Sequence, residues 1–130
     1  MPLRDGQDVT IIAIGVMVSI AMEAAANLTG CGISCRVINM STLKPIDEKA
    51  ILDAARETGA IVTAEEHLEH GGLGSEVARI TGKHQPVPME FIAIKDTYAK
   101  SGKPSELLER YGLTDKDIAR GVKSAIERKG

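Results

Sequence analysis

The sequence predicts an α/β fold of three layers, in which a mostly parallel, open sheet of four to five strands lies between helices. Short apolar, β-branched runs alternate along the 130 residues with stretches whose apolar residues recur every three or four positions. Such alternation of strand and helix is typical of a parallel sheet covered on both faces. The length fits one domain and no repeat or linker is visible, so residues 1–130 are interpreted as a single unit.

The first half of the chain predicts two strands and two helices. "DVTIIAIG" is a continuous apolar strand that ends at Gly15, and a helix is expected from Val16 to Thr29. "ISCRVINM" predicts the second strand. The next helix is expected to be capped by Asp47 and to end at Gly59. The residues expected on the inner faces are Ile20, Ala21, Ala24, Ala25 and Leu28 in the first helix and Ile51, Ala54 and Ala55 in the second.

The second half predicts two more strands and three helices. "AIVTAEE" and "PMEFIAI" are the strands, and a short amphipathic helix separates them. Residues 95–112 are expected to form a loop and a short helix with Pro104 in its first turn. The last helix is expected to begin at Thr114, with Asp117 as its capping-box partner. The expected inner faces are Leu73, Val77 and Ile80, then Ile118, Val122, Ala125 and Ile126.

The connections also predict an order for the strands and a place for a ligand. Named by one residue each, the strands are expected in the order Cys35, Thr10, Val62 and Phe91. The chain therefore changes its direction of progress between the second and third of these strands. Ligands of such sheets bind at the carboxyl ends of the strands beside that switch point. The crevice would be lined by "GVMVS" on one side and by Glu65, Glu66 and His67 on the other.

Composition and charge exclude several classes of partner. The net charge of −2 and the three aromatic residues leave neither a basic stripe nor a stacking surface, which argues against nucleic acid. The longest apolar run is interrupted by Gly15 and Ser19, which argues against a membrane span. It also lacks a basic n-region with a separate cleavage site, which argues against a secretory signal. Cys31 and Cys35 are too few for a disulfide framework and indicate reduced thiols in a cytoplasmic protein.

The stretch "TAEEHLEHGGLGSE" concentrates the residues that could carry chemistry. The H-x-x-H spacing does not place two histidines on one helix face, which disfavours a metal site. Consecutive glutamates in a strand point to opposite faces, which disfavours a catalytic carboxylate pair. The glycines match no phosphate-binding fingerprint, yet a helix start exposes N–H groups, so both a tight turn and an anion site stay open. The positions of that motif are Glu65, Glu66, His67, Gly71, Gly72 and Gly74.

Three stretches of the sequence resemble the C-terminal domain of transketolase. They are "VINMSTLKPID", "ETGAIVTAEEHLEHGGLGSEVA" and "IKDTYAKSGKPSELLERYGL", and they follow in the family's order and spacing over nearly the whole chain. These stretches are most similar to the C-terminal subunit of split transketolases. Deoxyxylulose-phosphate synthase and the pyruvate dehydrogenase β-subunit share the motifs more loosely. The resemblance also implies a short antiparallel edge strand at the start, which "MPLR" supplies in part. Its motif positions, without a catalytic role, include Lys44, Pro45, Asp47 and Leu73.

The resemblance implies a role inside a larger enzyme. Transketolases transfer two-carbon ketol units between sugar phosphates, in the pentose phosphate pathway, with thiamine diphosphate and a divalent metal. The cofactor lies between a pyrimidine-binding and a diphosphate-binding domain, whose Gly-Asp-Gly motif is not in this sequence. We therefore expect residues 1–130 to be the third domain alone, as a piece of a longer chain or a detached domain. It is expected to be inactive and to have no catalytic, cofactor-binding or metal residue. It is expected to pack on the pyrimidine-binding domain and to support a homo-oligomeric dimer.

Two other functions remain open at this point. One is a regulatory module that binds a nucleotide or phosphate in the switch-point crevice. The other is the C-terminal domain of a 2-oxoacid dehydrogenase β-subunit, which docks an acyltransferase. The transketolase interpretation additionally predicts an exposed apolar patch where the remaining domains dock.

Overall fold

The computed structural model describes residues 3–15, 17–40, 47–65, 73–92 and 115–129. Their elements, in chain order, are β1 (Val9–Ala13), α1 (Met17–Thr29), β2 (Cys35–Asn39), α2 (Glu48–Thr58), β3 (Ile61–Ala64), α3 (Leu73–His84), β4 (Met89–Ile92) and α4 (Asp115–Lys129). The predicted alternation of strand and helix is confirmed. The expected loop and helix at 95–112 and the expected cap at Thr114 lie outside the described residues.

The four strands form one sheet in the order β2-β1-β3-β4, and all three pairings are parallel. This is the predicted order. The expected antiparallel strand at the start is present as a single bridge between Arg4 and Val37, at the outer edge of β2. There the N–H of Leu3 donates to the carbonyl of Val37 over 2.8 Å, and the N–H of Val37 donates to the carbonyl of Arg4 over 2.8 Å.

Two cores, one on each face of the sheet, hold the layers together. Successive residues of a strand point to opposite faces, so Val9, Ile11 and Ala13 of β1 face α1 and α4, whereas Ile12 faces α2 and α3. Every residue of β1 and β3 is buried, as expected for the central strands of a sheet covered on both sides. The predicted inner faces of the helices are buried, except that Ile20 and Ile126 are partly exposed.

Helix α2 begins and ends where its sequence predicts. The carboxylate of Asp47 accepts a hydrogen bond from the backbone N–H of Ala50 over 3.0 Å, which satisfies one of the free N–H groups of the first turn. Gly59 ends the helix with φ of 75°, and its N–H donates to the carbonyl of Ala55 over 3.0 Å. A left-handed residue at this position is what glycine allows most readily.

The last turn of α4 fastens the amino-terminal side of the sheet. The ammonium of Lys129 donates to the carbonyls of Asp8 and Thr58, both over 2.7 Å. Asp8 lies just before β1, and Thr58 ends α2 shortly before β3 begins. Arg128 donates to the carbonyl of Met89, the first residue of β4, and its guanidinium lies 3.0 Å from the carboxylate of Glu90. The end of the chain thus connects the starts of three strands.

The described surface carries two large apolar side chains that are well exposed. Leu3, beside β2, is 52% exposed, and Phe91, on β4, is 43% exposed. Because β2 and β4 are the two edges of the sheet, these side chains lie on opposite sides of the domain. They do not form the contiguous apolar patch expected for docking, as far as the described residues extend. None of the described helices is long and apolar enough to cross a bilayer.

Candidate functional site

The switch point of the sheet lies between β1 and β3, as predicted. The chain leaves β1 toward β2 on one side and later enters β3 on the other. The carboxyl ends of β1 and β3 are adjacent, and the N–H of Ile14 donates to the carbonyl of Ala64 over 3.3 Å. Gly15 turns the chain there with φ of 62°, and Met17 begins α1 fully buried. Any ligand crevice of this fold would open at this edge.

The structure describes two of the six predicted motif positions. Glu65 and Gly74 are placed at the end of β3 and in the first turn of α3. The remaining predictions, Glu66, His67, Gly71 and Gly72, lie outside the described residues, as do Lys44 and Pro45.

Glu65 is a buried carboxylate that caps α3. Its side chain continues the face of β3 that carries Ile61 and Thr63, and this face is the one covered by α3. The residue is 2% exposed. One carboxylate oxygen accepts from the backbone N–H of Leu73 over 3.2 Å, and the other accepts from the N–H of Gly74 over 2.8 Å. A negative charge at a helix N-terminus is stabilised by the free N–H groups and by the helix dipole.

Gly74 lies where α3 comes closest to the sheet. A Cβ atom at this position would be 2.7 Å from Cδ1 of Phe91 and 3.2 Å from the hydroxyl oxygen of Thr63. Both distances are shorter than ordinary packing allows, so only glycine fits without displacing a neighbour. The sequence left two roles open for this glycine, a close contact between helix and strand and an anion site. The distances at Gly74 support the close contact. Binding of an external anion at this turn stays a prediction.

Metal-ligating side chains are not assembled in the described part of the chain. Among residues 3–15, 17–40, 47–65, 73–92 and 115–129, no group of three or more His, Cys, Asp or Glu side chains is arranged to hold a metal ion. His84 lies exposed at the end of α3. The described residues therefore offer no donor set for a divalent metal.

The two cysteines differ in their surroundings. Both are free; Cys31 is exposed, whereas Cys35 is buried at the start of β2. Burial raises the pKa of the Cys35 thiol to about 11, an effect that the positive charge of Arg4 partly offsets and the negative charge of Asp8 reinforces. The thiolate is the reactive form of cysteine. Cys35 is consequently a protonated, unreactive core residue at neutral pH.

A charged cleft of about 400 Å³ lies at the edge of β2. It was not predicted from the sequence. Its centre is Arg36, whose side chain is 12% exposed and lies 3.2 Å from the carboxylate of Asp5 and 2.8 Å from that of Glu57. A charged residue inside the apolar run "SCRVIN" is the signal that could have indicated it. The cleft is lined by Asp5, Arg36, Ile38, Asp47, Lys49, Ala50, Asp53 and Glu57.

The charges of this cleft, apart from Asp47, which caps α2, are paired with one another. Lys49 donates to the carboxylate of Asp53 over 2.7 Å, and this hydrogen bond lowers the pKa of Asp53 and raises the pKa of Lys49. Arg36 connects the amino-terminal segment to α2 through Asp5 and Glu57. The arrangement holds the segment before β1 against the sheet edge, and its chemistry is that of a structural ion-pair cluster.

Sequence comparison relates the chain to one family. Residues 1–118 match the family model described as the transketolase C-terminal domain. A 6-deoxy-6-sulfo-D-fructose transketolase subunit, SqwH, of Clostridium sp. (strain MSTE9) is 46% identical over 127 residues, which cover 98% of this chain and 39% of that protein. The 1-deoxy-D-xylulose-5-phosphate synthase of Heliobacterium modesticaldum is 49% identical over 121 residues, which cover 91% of this chain and 18% of that protein.

Comparison with solved structures relates the chain to the same family. A split-gene transketolase, described as an inactive β4 tetramer, superposes with a TM-score of 0.95 and 45% identity over 100% of this chain and 43% of its own. A transketolase from Pichia stipitis superposes with a TM-score of 0.71 over 98% of this chain and 18% of its own; at 20% identity this likeness concerns the fold alone. The chain thus spans less than half the length of each of these relatives.

Proposed function

The chain belongs to the transketolase C-terminal domain family, and we therefore propose that it is the structural and subunit-contact domain of a transketolase. Such an enzyme transfers two-carbon ketol units between sugar phosphates. The observation that carries the proposal is the TM-score of 0.95 over the entire chain with a split-gene transketolase. The matches favour this function over a regulatory nucleotide-binding module and over a dehydrogenase β-subunit.

In this proposal the cofactor chemistry belongs to the other domains. Thiamine diphosphate supplies the carbanion chemistry of ketol transfer, and a divalent metal anchors its diphosphate. The described residues hold no assembled donor set for that metal. The buried carboxylate at the switch point, Glu65, has both oxygens engaged by backbone N–H groups. Of the acids in the cleft, three are paired with Arg36 or Lys49, and Asp47 caps α2.

The proposed role of this domain is to hold the domains and subunits of the enzyme together. Its own charges fasten both of its ends, since Arg36 pairs with Asp5 in the amino-terminal segment and Lys129 of the last helix donates to the carbonyls of Asp8 and Thr58. In this proposal the domain contacts the pyrimidine-binding domain and a second copy, in a dimer or larger oligomer. The solved relative named as a β4 tetramer supports contact between copies.

The proposal includes a cellular setting. We place the enzyme in the cytoplasm and in the pentose phosphate pathway. The two free cysteines support a reducing compartment. The pathway rests on the family's reaction, although the Clostridium relative is named for a different sugar.

Association with the other domains tests the proposal. The 130-residue chain is mixed with a protein that carries the pyrimidine- and diphosphate-binding domains of the same enzyme, and the mass is measured by size-exclusion chromatography with light scattering. We expect a complex that contains both components. A chain that elutes separately at tens of micromolar of each component, the range of a weak domain interface, contradicts the proposal.

Two variants make this test sharper. Leu3→Ser and Phe91→Ser each remove one exposed apolar side chain, and the two side chains lie at opposite edges of the sheet. Because the substitutions are matched in kind, a loss of association in only one of them locates the docking edge. Both variants should keep the far-ultraviolet circular dichroism of the parent chain.

A second candidate is the C-terminal domain of a 1-deoxy-D-xylulose-5-phosphate synthase. It is favoured by the 49% identity with the Heliobacterium modesticaldum protein of that name. The two candidates are separated by the product of the complete enzyme. Formation of 1-deoxy-D-xylulose 5-phosphate supports the synthase, and exchange of two-carbon units between sugar phosphates supports the transketolase.

A further inference from the structure

Residues 3–8, here called the strap, run along the outer edge of β2 before the chain enters β1. In the described structure the strap contributes no side chain to the core on either face of the sheet. Segments with few buried apolar contacts open at a lower free energy than the core elements beside them. We propose that the strap opens and closes independently of the sheet, and that its opening turns Cys35 from a core residue into an accessible thiol.

Polar contacts fasten the strap at both of its ends. At one end, the N–H of Leu3 donates to the carbonyl of Val37 and the N–H of Val37 donates to the carbonyl of Arg4, each over 2.8 Å. At the other end, the carboxylate of Asp8 accepts from the N–H of Ser34 over 2.8 Å. Such hydrogen bonds contribute little net stability, because their groups bind water when the strap opens. The strap can therefore open while the sheet stays folded.

The centre of the strap lies directly on the backbone of β2. A Cβ atom at Gly6 would be 2.2 Å from the carbonyl carbon of Cys35 and 2.4 Å from the amide nitrogen of Arg36. Both atoms belong to the backbone of a strand that is paired with β1, so they cannot move aside as the end of a flexible side chain would. Glycine at this position therefore allows the strap to close, and a side chain there must lift it.

The strap also forms part of the cover over Cys35. A cavity of about 200 Å³ lies between the strap and the end of α1, and Arg4, Thr29 and Cys35 are among the residues that line it. The guanidinium of Arg4 donates to the hydroxyl of Thr29 and so bridges the strap to the helix. Burial raises the pKa of the Cys35 thiol to about 11, and the two charges that modify this effect belong to Arg4 and Asp8 of the strap. Opening of the strap removes one wall of the cavity and exposes the thiol.

Alkylation of Cys35 tests the proposal in the 130-residue chain with Cys31→Ser, in which Cys35 is the one remaining cysteine. Iodoacetamide forms a thioether with the thiolate and releases iodide, and mass spectrometry follows the rate. Gly6→Ala lifts the strap; the matched control is Gly82→Ala, where a Cβ atom has nothing within 4 Å. We expect Cys35 in Gly6→Ala to react at least about tenfold faster than in the parent chain, and Gly82→Ala to react like the parent. Equal rates in all three chains overturn the proposal.

The urea dependence of the reaction separates local opening from global unfolding. The dependence of an unfolding step on denaturant increases with the surface that the step exposes. Because the strap is short, alkylation of Cys35 in the parent chain at low urea should depend on urea at least about threefold less steeply than global unfolding does, as measured by circular dichroism. This measurement needs no variant of the strap, so it stands even where Gly6→Ala does not fold. An alkylation rate of Cys35 with the full urea dependence of global unfolding overturns the proposal.

Arg4→Met gives a readout in which access and charge have opposite effects. Burial raises the pKa of the Cys35 thiol and the positive charge of Arg4 partly offsets this, so loss of the charge alone leaves less thiolate and slows alkylation. Loss of the hydrogen bond to Thr29 frees the strap and speeds alkylation. We expect the reaction of Cys35 in Arg4→Met to be at least about threefold faster than in the parent chain. A slower reaction shows that Arg4 acts on Cys35 through its charge alone and contradicts the strap.

Discussion

At Gly74, the absence of a side chain allows α3 to lie directly on the sheet. We predict that Gly74→Ala destabilises the domain by about 1–3 kcal/mol, because the new methyl group overlaps the ring of Phe91 and the hydroxyl of Thr63. Urea denaturation measures the free energy of unfolding. In a Phe91→Ala background the same substitution should cost less, since the atom at 2.7 Å is then removed.

Gly82 provides the control for this prediction in the same helix. A Cβ atom there would have nothing within 4 Å, and the residue is exposed. Alanine loses less backbone freedom on folding than glycine, so Gly82→Ala should stabilise the domain by about 0.5–1 kcal/mol. Equal effects of the two substitutions would show that helix propensity, and not the close contact at Gly74, decides the choice of glycine.

The two cysteines give a prediction about reactivity and pH. In the native chain at pH 8, iodoacetamide should modify Cys31 and leave Cys35 unmodified, because burial raises the pKa of the Cys35 thiol to about 11 and blocks access. Mass spectrometry of the tryptic peptides identifies the site. Modification of Cys35 at the rate of Cys31 contradicts the described packing of β2 against α1.

The same pKa shift makes the stability depend on alkaline pH. The pKa of the Cys35 thiol is about 11 in the folded chain, against 9.0 for a thiol free of the protein environment, so the folded state holds the proton more tightly. The contribution of the protonated thiol is complete below pH 9 and is lost as the pH rises toward about 11. Cys35→Ala should therefore show a shallower decline of the thermal midpoint over this interval than the parent chain does.

At the scale of elements, α4 is fastened at its last turn rather than only along its apolar face. We predict that Lys129→Met destabilises the domain by about 1 kcal/mol, because the hydrogen bonds of its ammonium to the carbonyls of Asp8 and Thr58 are lost. Chemical denaturation measures the change. Lys123→Met, the same change at an exposed position of the same helix, should alter the stability by less than about 0.5 kcal/mol.

The elements also show which local features the sequence predicts. Helix α2 could be bounded correctly because its signals are local: a capping side chain at Asp47 and a glycine at Gly59. The start of α3 was predicted only as a glycine turn, because its cap comes from Glu65, eight residues away from Leu73. The predicted edge strand before β1 is only one bridge long, at Arg4. Its length depends on the pairing with β2, which the local sequence does not determine.

For the whole molecule, the strand order and the layers follow from the alternation of strand and helix and from the handedness of the crossovers. The charged cleft around Arg36 did not follow, because its partners Asp5 and Glu57 lie far apart in the sequence and meet only across the edge of β2. The switch point between β1 and β3 was predicted correctly, because it follows from the strand order. The role of Glu65 as the cap of α3 could not be predicted, because it depends on how close the end of β3 lies to the start of α3. A local sequence pattern does not give that distance.

The central claim for the molecule is that it completes a transketolase without performing the chemistry itself. Ketol transfer between sugar phosphates, with thiamine diphosphate and a divalent metal present, tests this most directly in three samples: the 130-residue chain, the remaining domains of the enzyme, and their equimolar mixture. We predict no turnover by the chain alone, and turnover by the mixture at least about tenfold above that of the remaining domains, a gain of roughly 1.4 kcal/mol in transition-state stabilisation. Turnover by the pure chain, or a mixture no more active than the remaining domains, would contradict the claim.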